Sequence, residues 1–233
     1  MNNVDTLKRA AAERALEAVS SGMIVGLGSG STAIWVTRLI AERLQDGRLT
    51  NILGIPCSSM IEAEARRLNV PLTTLEEHPH VDITIDGADE VDPQLDLIKG
   101  GGGALMREKI VAQASAYEII VVDHSKLSPI LGTKWHVPVE VIPFGYGSQQ
   151  HYLEELGARA VVRHRADGTV FHTDQGNIIL DCAFGVINDP VSLAKKLKRR
   201  TGIAEHGLFI GIANELIVAD TDGIRQIKRG QPF

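Results

Sequence analysis

The sequence predicts an α/β fold: a Rossmann-like, mostly parallel sheet with helices on both faces, plus a smaller ferredoxin-like α+β domain. Three observations predict it. Short apolar runs alternate with helix-length amphipathic segments as far as residue 126. Several of those runs end in polar or glycine-rich loops, at residues 28–32, 86–89, 99–103 and 123–126. Beyond residue 126 the pattern changes to strand, helix and paired strands, followed by a further helix and strand. Residues 1–130 and 207–233 are expected to form the main catalytic domain. Residues 131–206 are expected to form an inserted domain for oligomerisation or support.

Taken in order, residues 5–20 read as a helix with Asp5 as N-cap, with Leu7, Ala11, Ala15 and Val19 on one face and Gly22 as the stop. Residues 23–27 are a short buried strand, and the helix after them places Trp35, Val36, Leu39, Ile40 and Leu44 inward. Residues 51–55 form the next strand, and Ser58 or Ser59 caps a helix with Ile61, Ala65 and Leu68 inward. Residues 81–85 alternate as a strand, residues 95–98 form a second extended segment, and a helix follows over 104–115. Residues 117–122, with four consecutive aliphatics, are the most central strand. In the second half, residues 137–142 and 158–165 read as strands around a helix at 148–156. Asp167-Gly168 signals a hairpin into residues 170–173, and Gln175-Gly176 turns into residues 177–183. Pro190 suits the first turn of a basic helix over 190–200, whose lysines and arginines are a solvated face. Residues 208–212 and 215–219 return the chain to the first sheet.

Composition narrows the function classes. With 44% hydrophobic and 23% charged residues, the 233-residue chain reads as a soluble globular protein. A net charge of −5 argues against nucleic acid as a partner, since domains that bind it are usually basic. No apolar run is long enough to span a membrane, and the N-terminus lacks the features of a leader. Two distant cysteines, Cys57 and Cys182, form no metal or redox spacing, so a reducing cytoplasm is expected. No zinc motif is present.

The chemistry concentrates between residues 86 and 108, DGADEVDPQLDLIKGGGGALMRE. Four consecutive glycines cost chain entropy, and such a run is kept where backbone must approach something closely or turn through positive φ. A flexible surface loop is the plainer account, but this run lies between a strand-like segment and a helix, flanked by Lys99 and Glu108. Taken singly, Glu108 could simply complement a helix dipole, and Asp86 and Asp89 could be turn residues. A magnesium site from Asp86, Asp89 and Glu90 lacks the spacing of a known loop. Upstream, GLGSGST opens a helix with unpaired amides and hydroxyls, a physical recipe for holding one phosphate. It is G-x-G-x-G, with no Gly-Lys-Ser/Thr and no acid after the next strand, which disfavours a nucleotide. In a parallel sheet ligands bind outside the carboxyl ends of the strands, so all four loops are expected to converge on one edge.

The set GLGSGST, DGADE, KGGGGALMREK and DHSK, in this order and spacing, resembles ribose-5-phosphate isomerase of type A over the whole chain. The resemblance implies an aldose–ketose isomerase that interconverts ribose 5-phosphate and ribulose 5-phosphate through an enediolate, in the non-oxidative pentose phosphate pathway, with no metal or cofactor. It implies Glu108 as the base, Lys99 as the group polarising the carbonyl and Asp86 as a helper in ring opening. Substrate contacts are implied for Ser29, Gly30, Ser31, Thr32, Asp86, Gly87, Ala88, Asp89, Lys99, Gly100, Gly101, Gly102 and Lys126, with Lys8 a weaker phosphate candidate. The resemblance also implies a homodimer or homotetramer. Competing expectations are another sugar-phosphate isomerase or deaminase, a CoA transferase-like enzyme using Glu108 as nucleophile, and a sugar-phosphate sensor domain.

Overall fold

The computed structural model describes residues 3–220 and 222–233. The chain divides into two compact units: residues 1–88, 107–126 and 211–233 in the first, residues 89–106 and 127–210 in the second.

The first unit is built on a six-stranded sheet. Its strands are β1 (Ile24–Leu27), β2 (Leu53–Pro56), β3 (Ile83–Asp86), β6 (Glu118–Asp123), β12 (Glu215–Asp220) and β13 (Gly223–Lys228). They lie in the order β13-β12-β6-β3-β1-β2, all parallel except the edge strand β13, which pairs antiparallel with β12. Strand order reverses between β1 and β3, and in open α/β sheets that reversal opens a crevice at the carboxyl ends. Helices α1 (Asn3–Ala15), α2 (Ile34–Gln45) and α3 (Ser59–Arg67) pack on one face of the sheet. Ala11, Ala12, Ala15, Val36, Leu39, Ile40, Ile61 and Ala65 pack with strand residues Val25, Leu27, Ile85, Ile119 and Val121 into one core. Ser58 is the N-cap of α3, its hydroxyl accepting from Ile61 N at 3.2 Å. Asp5 does not cap α1, because the helix already starts at Asn3; Asp5 lies in its first turn, where a carboxylate favours the dipole.

Helix α4 (Leu105–Ala114) has its C-terminal end pinned beside the start of the third strand. Val81 N donates to Ala114 O at 3.0 Å and Ala116 N donates to Val81 O at 2.8 Å. The Thr84 and Ser115 hydroxyls meet at 2.6 Å. Further back along α4, Val111 lies over β1 so closely that a Cβ on Gly26 would sit 2.8 Å from it. The helix therefore runs against the strand direction, and its first turn within this unit points toward the carboxyl edge of the sheet.

The second unit carries β7 (Val137–Val141), α5 (Tyr146–Glu155), β8 (Arg159–Val162), β9 (Ile178–Ala183), α6 (Pro190–Lys198) and β10 (Ile203–His206). The strands are antiparallel in the order β10-β7-β9-β8, which is the ferredoxin-like βαββαβ arrangement expected. Val139, Val141, Leu153, Leu180, Leu197 and Ile203 form its core. Asp189 caps α6 through Ser192 N at 2.9 Å, with Pro190 in the first turn. A second, three-stranded ribbon pairs β4 (Glu90–Val91), β5 (Leu97–Ile98) and β11 (Leu208–Phe209), all antiparallel. The Glu90 carboxylate, fully buried, accepts N–H bonds from Gly132 (3.0 Å), Thr133, Lys134 and Trp135 (3.1 Å each).

Several expectations change. Residues 89–106 cluster with the second unit rather than with residues 1–130, because β5 pairs with β4 and β11 and not with the parallel sheet. Of residues 95–98 only Leu97 and Ile98 are strand, since Leu95 takes φ +58° in the turn that leads in. Residues 208–212 likewise contribute only Leu208 and Phe209, again to the ribbon. Residues 170–173 make two isolated bridges, His164 to Val170 and His172 to Ile178, instead of a strand. Residues 163–172 are exposed or half-buried, so alternation there has no core to face.

Candidate active site

In the first unit the sequence-predicted residues meet at the carboxyl edge of the sheet. Residues 28–32 leave β1, residues 86–88 leave β3 and Lys126 ends a short turn after β6, and those three strands are neighbours. Asp86 is completely buried. Its Oδ1 accepts from Ser29 N at 2.9 Å and from Gly87 N at 2.7 Å. One carboxylate thus ties the β1 loop to the end of β3. Gly28 is required for this approach: a Cβ there would lie 2.4 Å from both Asp86 Cα and its carboxylate oxygen.

The rest of that loop is open at its tip and anchored at its base. Ser29 and Thr32 are buried, whereas Gly30 and Ser31 are exposed. The Ser29 hydroxyl donates to Ser58 Oγ at 2.7 Å, linking the loop to the cap of α3. Gly30 takes φ +104°, and Lys8 Nζ donates to Ser31 Oγ at 2.9 Å. Lys8 therefore stands at the phosphate-type loop, which its sequence position alone did not establish. Glu108 is 5% exposed in the first turns of α4, one turn ahead of Val111 and on the same face, toward the carboxyl edge. Gly87, Ala88 and Lys126 are half-buried.

The second unit holds the remaining predicted residues as its own set. Lys99 follows β5, is 2% exposed, and places its Nζ 5.5 Å from the centroid of Phe209. Its backbone N–H donates to Gly207 O at 2.9 Å. Gly100 and Gly103 both take positive φ, +101° and +86°, which is why glycine is needed there. Asp89 Oδ2 accepts from Gly101 N at 2.7 Å, so this carboxylate holds the glycine run. A Cβ on Gly101 would meet Asp89 Oδ1 at 2.7 Å, while one on Gly102 would meet nothing within 4 Å. The expectation that all four loops leave one sheet therefore needs correction. Residues 99–103 follow a strand of the antiparallel ribbon.

On the first unit, a buried carboxylate on a helix and a hydroxyl- and amide-lined loop suit proton transfer on an anionic substrate; on the second, a buried lysine beside oriented amides suits holding negative charge. The family model for ribose 5-phosphate isomerase A (phosphoriboisomerase A) matches residues 53–223. The chain belongs to the ribose 5-phosphate isomerase A family. It is thus an isomerase of the aldose–ketose class. The ribose-5-phosphate isomerase A of Chloroflexus aurantiacus is 55% identical, the alignment covering 97% of this chain and 94% of that one. Ribose 5-phosphate isomerase from Plasmodium falciparum superimposes with a TM-score of 0.94 at 40% identity, covering 97% and 99% of the two chains. A D-ribose-5-phosphate isomerase solved in complex with phospho-erythronic acid gives 0.95 at 36% identity, over 97% and 100%. Among the described residues no helix is long and apolar enough to cross a membrane.

Sequence reasoning missed Arg163, which contacts the glycine run from β8 and β9's neighbourhood. Nothing local marks it, because it sits 62 residues from Gly101 within a polar stretch.

Proposed function

We propose that this chain interconverts ribose 5-phosphate and ribulose 5-phosphate with Glu108 as the base. In the open-chain aldose, Glu108 takes the proton from C2 and the electron pair moves to O1, giving a 1,2-enediolate. The O2 proton passes to O1, and the same carboxyl returns its proton to C1 as the C2 ketone forms. Lys99 and the amides of Gly100 and Gly102 hold the negative oxygen, an oxyanion-type role, while Gly101 joins the site through its N–H bond to Asp89. Asp86 and Asp89, with Gly87 and Ala88, hold sugar hydroxyls, and Asp86 assists ring opening. Ser29, Gly30, Ser31, Thr32 and Lys126 hold the phosphate, joined by Lys8. No metal or cofactor enters these steps.

The observation that carries the reading is the buried Glu108 aimed at the edge where Asp86 ties the 28–32 loop to β3. A positioned base contributes about 10²–10⁴-fold in rate. Glu108→Gln should therefore lose at least about a hundredfold in kcat, measured with ribose 5-phosphate in the presence of EDTA. Full activity in that variant would remove Glu108 from its role, and an inactive wild type would remove the substrate assignment.

The reading includes a homodimer or homotetramer working in the cytoplasm. Phe144 is 92% exposed, with Ile142 and Tyr146 also exposed beside it, an apolar patch on the second unit that a second copy would cover. Cys57 and Cys182 are both buried and outside any disulfide, in keeping with a reducing compartment. Phe144→Asp should lower the molar mass measured by light scattering; an unchanged mass would place the contact elsewhere.

A further inference from the structure

The geometry points to Arg163 as a positioning residue that aims the Gly102 amide at the developing charge; this rests on the oxyanion role given above to the glycine amides. Arg163 Nε donates to Asp181 Oδ2 at 2.9 Å and Nη2 donates to Asp181 Oδ1, a bidentate pair that fixes the guanidinium plane. Its remaining terminal nitrogen, Nη1, donates to Gly100 O at 2.9 Å and to Gly101 O at 3.0 Å. Phe171 lies 5.8 Å from the guanidinium and fills the space beside Gly103, where a Cβ would meet Cζ at 2.4 Å. The arginine side chain is only 14% exposed.

Peptide planarity turns these contacts into an orientation. In a trans peptide the carbonyl of one residue and the N–H of the next point in opposite directions, and no cis bond occurs among the described residues. Fixing Gly100 O therefore directs Gly101 N–H the other way, where Asp89 Oδ2 receives it at 2.7 Å. Fixing Gly101 O directs Gly102 N–H away from Arg163 in the same manner. Gly102 has open space at its Cα, so a ligand atom can approach it. A glycine run left to itself would sample many such orientations. Arg163 selects one from a distance, without touching the substrate.

The test compares wild type, Arg163→Met, Arg163→Lys and Asp181→Asn for kcat, KM and inhibition by phospho-erythronic acid, with melting curves to show that each is folded. Wild-type turnover of ribose 5-phosphate is measured first and tests the parent reading by itself. Arg163→Met should lower kcat by about tenfold to a hundredfold, less than the about 10²–10³-fold of removing an oxyanion donor outright because the amide is misaimed and not lost, with KM within about twofold. The inhibitor, whose carboxylate mimics the enediolate oxygens, should weaken in parallel. Lysine keeps the charge but not the fork, so Arg163→Lys should fall between wild type and Arg163→Met. Asp181→Asn, which keeps Arg163 but loosens its plane, should show the same pattern more weakly. Unchanged kcat in folded Arg163→Met overturns the positioning role. A lowered kcat with unchanged inhibition overturns the aim at the Gly102 amide.

Discussion

The two glycine loops, one in each unit, are held by different means. The loop at residues 28–32 is fixed by its sheet neighbour: β1 and β3 pair, and Asp86 at the end of β3 reaches the Ser29 amide directly. The run at residues 100–103 has only a two-residue neighbour, β4, with Asp89 just before it reaching the Gly101 amide. It hangs from a two-residue strand and is held by Asp89, Arg163 and Phe171. The first loop inherits its shape from a strand register, the second from a few side chains. The first should therefore fail abruptly when crowded, and the second by degrees.

The largest effect is expected at Gly28. A methyl group there would meet the Asp86 backbone at 2.4 Å, and strand pairing leaves that backbone little room to move. Gly28→Ala should lose about 1–3 kcal/mol of stability by denaturant unfolding and most of its activity. Gly103→Ala should cost less, about 1 kcal/mol for positive φ together with displacement of the Phe171 ring. A Gly103 variant more damaged than the Gly28 variant would reverse the comparison.

Carboxylates outside the site sharpen the same contrast. On the first unit, hydrogen bonds from Arg67 and Arg38 hold Glu64 down at about 2. On the second, burial pushes Glu140 up, although Thr173 Oγ1 and Asn177 Nδ2 donate to its Oε1 at 2.8 and 2.9 Å, with Glu205 opposing from the paired strand. The signs are opposite. Glu64 contributes stability above its unfolded value near 4.5 and loses it as pH falls toward about 2. Glu140 binds its proton more tightly when folded, so its contribution is full below 4.5 and declines as pH rises through the raised value. Glu140→Gln keeps an acceptor for both donors and removes the charge. It should raise Tm at neutral pH by about a few degrees and flatten the decline that sets in as pH rises above the unfolded value of 4.5. A Tm profile parallel to wild type would show that burial is not what governs this carboxylate.

What could be read from the chain follows the same division. Ile119, Ile120, Val121 and Val122 announced the central strand, and GLGSGST announced its loop, because both signals lie within a few residues. The ferredoxin-like unit was legible from local turns and periodicity. The grouping of residues 89–106 with the second unit was not, since Leu97 pairs with Phe209, more than a hundred residues later. Arg163 was hidden for the same reason. A side chain that reaches back to a distant backbone carbonyl leaves no periodic trace.

Glu90 has a dynamic consequence. The amides of Gly132, Thr133, Lys134 and Trp135 lie outside any helix or strand, yet all four donate to that one carboxylate. In hydrogen–deuterium exchange they should behave as a single slow block, released together when the anion swings away rather than fraying one by one as loop amides do.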